Sequence, residues 1–145
     1  MIQSIVLGSD HGGFELKSSI KDCLLADYSD IRVGDIGVFN TDSVDYPDYA
    51  QKVVDEIVSG SYEAGIIVCG TGIGVSIKAN RNKGIRAAIA FDEYTASMSR
   101  AHNDSNILCL GQRTTPLDMA LSILRIWLST PFDGDRHIRR VEKLD

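Results

Sequence analysis

Residues 64–78, Ala-Gly-Ile-Ile-Val-Cys-Gly-Thr-Gly-Ile-Gly-Val-Ser-Ile-Lys, decide the fold of this chain. The first six read as a strand, and their unbroken apolar character marks one buried on both faces. Glycines at 70, 72 and 74 make a tight turn, and the pattern from Val75 to Asn80 reads as a helix. A strand, a glycine turn and a helix start form one unit of an α/β fold. Glycines allow close approach of a ligand to the backbone, and a helix start offers unpaired N–H groups to an anion. A thiol, Cys69, stands at the edge of that turn.

Outward from this segment the chain keeps alternating. Ile5 to Gly8 reads as a strand, and Leu16, Ile20, Cys23 and Leu24 then share a helical face. Ile31–Ile36 is a weaker strand, and Pro47 opens a helix carrying Ala50, Val53, Val54, Ile57 and Val58. A strand over 85–91, a helix over 93–102 and a strand over 106–111 follow. Thr115 and Pro116 read as N-cap and first position of a helix with Leu117, Leu121, Leu124 and Leu128 on one face, stopped by Pro131. This order predicts a three-layer, Rossmann-like α/β fold: about five parallel strands, helices on both faces and a C-terminal helical tail. The whole of 1–145 reads as one domain.

Such sheets bind ligands at the carboxyl ends of their strands. Those ends carry Gly8–Gly13 with Asp10 and His11, then Cys69–Gly74, then Phe91-Asp92-Glu93, then Gly111-Gln112-Arg113. Asp10 could equally cap the next helix, and Cys69, like Cys23 and Cys109, could be a small core residue. The alternating charges of Arg136, Arg139, Arg140 and Lys143 with Asp135, Glu142 and Asp145 fit a solvated helical face by default, but the convergence of all these signals on one edge of one sheet is the stronger point.

Composition narrows the function. A net charge of −5 in 145 residues argues against a general nucleic-acid binder and requires a local basic cluster for any anionic substrate. No stretch is long enough to cross a membrane, and the first residues lack a basic leader. Three cysteines without metal-ligand spacing suit reduced thiols, hence a cytoplasmic setting, with no metal expected. A dinucleotide site is disfavoured. Asp92 stands where a ribose-binding acid would, but the third glycine falls at 74, and the fingerprint places it at 75, which is valine. A P-loop is excluded because no Gly-Lys-Ser/Thr follows the glycines.

Six motifs together are more specific. Gly8-Ser-Asp-His-Gly-Gly-Phe14, Asp45-Tyr-Pro47, Cys69-Gly-Thr-Gly-Ile-Gly74, Arg100-Ala-His-Asn-Asp-Ser-Asn106, Gly111-Gln-Arg113 and Arg136-His137 through Arg140-Val-Glu142 resemble the type B ribose-5-phosphate isomerases. That family also contains the galactose-6-phosphate isomerase subunits, and the likeness runs the length of the chain. It implies interconversion of D-ribose 5-phosphate and D-ribulose 5-phosphate through a cis-enediolate, without a cofactor. Six-carbon phosphates such as allose or galactose 6-phosphate are the alternative substrates, and a non-catalytic nucleotide-binding module is a more remote one.

The resemblance also implies roles. Cys69 is the base that moves the proton between C2 and C1, and Thr71 helps pass protons among the substrate oxygens. The Gly70, Thr71, Gly72, Ile73 and Gly74 turn holds the enediolate. His102 opens the sugar ring, for which an imidazole suits neutral pH. Asp10, His11 and Asn103 contact the sugar, and Tyr46 either joins them or packs before Pro47. Arg113, Arg136 and Arg140 take the phosphate through paired, charge-assisted bonds. Family members lacking the cysteine use a glutamate one residue past the last glycine. Here that residue is Val75, which leaves Cys69 as the base. The family assembles as dimers, or tetramers of them, with sites shared between subunits.

Overall fold

The computed structural model describes residues 2–144, so the ends of the predicted 1–145 domain, Met1 and Asp145, lie outside the described residues. Five strands, β1 (Ser4–Ser9), β2 (Arg32–Asp35), β3 (Ala64–Cys69), β4 (Ala87–Ile89) and β5 (Ile107–Gly111), form one sheet. Every pairing is parallel, in the order β2-β1-β3-β5-β4. The order reverses between β1 and β3, which opens a crevice at their carboxyl ends. Strand β3 lies at the centre, and all six of its residues are buried, as its continuous apolar run requires.

Helices α1 (Phe14–Asp27), α4 (Glu93–Ala101) and α5 (Leu117–Ser129) cover one face, where Leu16, Ile20, Leu24, Ala96, Ile123 and Trp127 pack on Ile5, Leu7, Ile66 and Leu108. Helices α2 (Tyr46–Val58) and α3 (Ile73–Ala79) cover the other, where Val53, Val54, Val75 and Ala79 pack on Val6, Ile67 and Cys109. The tail is one 3-10 turn, Asp135–His137, followed by α6 (Ile138–Val141). The three-layer fold with a helical tail is therefore the one the sequence implies.

The differences lie at the ends of elements. Strand β4 spans three residues rather than 85–91, because it is an edge strand paired only where β5 runs beside it. Its amino end is held by side chains instead: Asn106 Oδ1 accepts from Arg86 N–H, and Asn80 Oδ1 accepts from Ala87 N–H. Helix α3 starts at Ile73, two residues before the expected Val75, because the left-handed backbone of Gly72 (φ 78°) turns the chain directly into it. Helix α5 starts at Leu117, with extended Pro116 in the cap position and no cap from Thr115. Its buried stripe is Ala120, Ile123, Leu124 and Trp127, whereas Leu117 is half exposed and Leu121 and Leu128 only flank the core. Trp127 draws the helix round, since its indole N–H must reach Ser105 Oγ (2.8 Å). Cys23 is partly exposed and donates to Asp27, unlike fully buried Cys109.

Candidate active site

Three loops meet at the carboxyl edge of the central strands. The β5 loop is tied to the β3 turn by Gln112 N–H donating to Cys69 O (2.9 Å) and Arg113 N–H donating to Gly70 O (3.0 Å). The Gln112 side chain accepts from Leu16 N–H (3.0 Å), which fixes the start of α1 to the same edge. The β1 loop approaches so closely that a Cβ on Gly13 would stand 2.4 Å from Val68 O. These backbone contacts set Asp10, His11, the 69–74 turn and Arg113 side by side.

Within the turn, Gly72 N–H donates to Cys69 Sγ (3.1 Å), the bond a thiolate would accept. Ile73 N–H donates to Thr71 Oγ1 (3.3 Å), which leaves the hydroxyl proton of exposed Thr71 to be donated outward. Two of the amides expected to serve a ligand are thus occupied inside the turn. The Arg113 guanidinium lies over Gly70, where a Cβ would meet Nη1 at 3.2 Å. Beside it, Asp10 is buried, and its Oδ1 has no hydrogen-bond partner among the described residues, which suits a hydroxyl donor from a ligand. Asp10 occupies the cap position of the short turn that follows, but its side chain makes no capping bond. His11 Nδ1 accepts from Val44 N–H (3.2 Å), so the loop before α2 fixes its ring. Tyr46 closes this half of the site: its ring rests on Gly74, where a Cβ would be 2.6 Å from Cε2.

The second group of candidate residues sits elsewhere. His102 and Asn103 follow α4, which runs back from the carboxyl end of β4 to the amino end of β5. The tail joins them there, with Asp133 N–H donating to Ala101 O (3.0 Å). The His102 and His137 rings stack, with centroids 4.3 Å apart and planes within 7°. Asp133 Oδ2 is 4.0 Å from His102 Nε2, and Arg136 Nε donates to His137 Nε2 (3.4 Å). Arg136 and Arg140 are exposed. The expectation that these motifs converge on one sheet edge therefore fails within one chain. A six-residue strand at about 3.3 Å per residue puts the two edges roughly 17–20 Å apart, far beyond hydrogen-bond reach. Arg113 is likewise separated from Arg136 and Arg140. Sequence order hides this, because a helix and a strand next to each other in sequence run in opposite directions.

His102, Asp133 and His137 bring one ligand atom each within 4.8 Å of the others. Yet the Arg136 guanidinium already caps His137 Nε2, and Arg140 follows on α6. This surroundings suits an anion rather than a metal cation. Asp133, His137 and the stack itself were not among the expected site residues, although His137 lay inside one of the six motifs.

The ribose/galactose isomerase family model matches residues 5–144. The chain belongs to that family. It is 40% identical to ribose-5-phosphate isomerase B of Escherichia coli, over 99% of this chain and 95% of that one. Among solved structures, ribose-5-phosphate isomerase B of Clostridium thermocellum superposes with a TM-score of 0.94 at 49% identity, covering 97% of this chain and 94% of that one. The Thermotoga maritima enzyme also reaches 0.94, at 48% identity over 98% and 97%. The likeness covers the whole sheet, so the fold is the family's as well.

Proposed function

We propose that this chain is a cofactor-independent ribose-5-phosphate isomerase that interconverts D-ribose 5-phosphate and D-ribulose 5-phosphate, a step of the non-oxidative pentose phosphate pathway, in the cytoplasm. The observation that carries the reading is Cys69: a thiol at a glycine turn, bonded by Gly72 N–H and followed at 75 by a residue that cannot accept a proton. In the reaction the Cys69 thiolate takes the C2 proton, and charge develops on the C1 and C2 oxygens. The remaining turn amides and the Thr71 hydroxyl stabilise that charge, and the proton returns to C1. Asp10, His11 and Tyr46 hold the sugar hydroxyls.

The separation of the two residue groups supports a site completed by a second copy. One copy supplies Cys69, Asp10, His11, Tyr46 and Arg113. The other brings His102 for ring opening, Asn103 for the sugar, and Arg136 and Arg140 for the phosphate. A homodimer is then the smallest active form. Exposed Ile73 and Ile77 on α3, with Phe91 and Tyr94 at the start of α4, give such a contact apolar surface. A coupled assay comparing ribose 5-phosphate with allose 6-phosphate and galactose 6-phosphate tests the reading. The expected result is turnover of the five-carbon substrate at the highest kcat/KM; preference for a six-carbon phosphate would overturn it.

A further inference from the structure

His137 is the least exposed histidine of the tail cluster, and its ring contacts His102 and Arg136, both given roles above. It is buried, whereas its neighbours Arg136 and Ile138 are exposed. One face of its ring lies against His102, and its Nε2 accepts from Arg136 Nε. The charged groups facing it are His102 at the end of α4, Asp133 in the loop after α5, and Arg136 and Arg140 on its own segment. Burial lowers its proton affinity first, His102, Arg136 and Arg140 lower it further, and Asp133 opposes them. A bond donated by Arg136 requires Nε2 to be unprotonated.

We propose that His137 is a positioning residue that couples phosphate binding to ring opening, by holding the His102 ring flat against its own and by carrying the electrostatic state of Arg136 to it. This deepens the reading above, in which His102 opens the ring and Arg136 and Arg140 take the phosphate. With the clamp empty, two guanidinium charges oppose protonation of His137. A bound phosphate cancels that charge, and the imidazole pair accepts a proton more readily. His102 then becomes a better proton carrier at the moment when a substrate is present. The sign follows: the anion draws in a proton on binding, and it binds more tightly as pH falls through the interval between the imidazoles' free and bound titrations.

The test is a pH titration of the histidine ring nitrogens by NMR on the intact protein, with and without sulfate. Sulfate mimics phosphate without titrating in this range. Sulfate should shift the Arg136 Nε signal and move the titrations of His137 and His102 upward. In His137→Phe, which keeps a flat ring but has no nitrogen, the response of His102 should be lost. Its kcat should fall about tenfold while KM stays within about twofold, as expected of a misplaced rather than missing proton carrier. If sulfate shifts Arg136 but both imidazoles titrate unchanged, or if His102 responds fully in His137→Phe, the coupling is wrong and the phosphate clamp stands. If sulfate leaves Arg136 unmoved, the clamp and the coupling both fall. Should the phenylalanine variant not fold, the wild-type titration alone decides.

Discussion

At Cys69 the neighbours select one sulfur out of three. Burial pushes the Cys109 thiol far up, and Cys69 nearby adds to it, so Cys109 stays a neutral core residue. Partial burial and the bond to Asp27 also raise the Cys23 thiol. Among the described residues only Cys69 accepts an amide hydrogen bond at the sulfur, from a glycine whose φ of 78° other residues rarely adopt. Cys69→Ala should therefore lower kcat by about 10³-fold, the range of a lost general base, while leaving sugar-phosphate binding within a few-fold. Near-normal turnover in that variant would move the base elsewhere. Alkylation with a small reagent at neutral pH gives a second reading of the same residue. Peptide mapping should find the inactivating label on Cys69, with substrate protecting it. Inactivation that tracks Cys23 instead would contradict the assignment.

Single elements can be tested apart from the chemistry. Gly74 lies in α3, and alanine suits a helix, so Gly74→Ala should change the unfolding free energy by less than about 1 kcal/mol. Its methyl group must nevertheless displace the Tyr46 ring, and KM should rise several-fold; an unchanged KM would remove Tyr46 from the substrate wall. On the other side of the sheet, Lys17 of α1 is 1% exposed and donates to Asp35 Oδ1 (2.6 Å) and Val38 O (2.8 Å). Burial alone would push the Asp35 carboxyl up, but hydrogen bonds from Lys17, Gly37 and Lys21 outweigh it and hold its pKa below the ordinary value. A depressed carboxylate contributes stability above its unfolded pKa and loses it as pH falls through the lower folded value. Lys17→Met should cost about 3 kcal/mol in urea unfolding at pH 7, and less at a pH low enough to protonate Asp35, below the ordinary carboxylate range. An equal cost at both pH values would mean that packing, not the ion pair, is what Lys17 supplies. This pair shows where sequence reading stops. The apolar stripe of Leu16, Ile20 and Leu24 is visible by periodicity, but a buried lysine beside it has no periodic signal. Likewise Leu117 and Leu128 looked like core, because periodicity cannot tell that Trp127 turns α5 toward Ser105.

At the scale of the whole molecule, the sheet was legible because each strand announces itself locally: β3 by its unbroken apolar run, β1 and β5 by glycines at their ends. The site was legible as a set of residues but not as a place. Which end of the sheet a residue occupies depends on the direction of the helix before it, and motifs in sequence order do not carry that direction. Hence Cys69 and His102, joined by one expected mechanism, stand at opposite edges of one chain. An acidic chain of net charge −5 can still bind a phosphate if Arg136 and Arg140 of one copy meet Arg113 of another. Complementation tests this directly. Cys69→Ala and His102→Ala homodimers should each be strongly impaired with ribose 5-phosphate. A mixed dimer places the intact Cys69 of one chain opposite the intact His102 of the other in one of its two sites, and both changes fall in the second site. Random assembly makes half of the dimers mixed, so co-expressed variants should recover about a quarter of wild-type activity. If each site were built within one chain, every site in the mixture would carry one defect, and activity would stay at the average of the two variants.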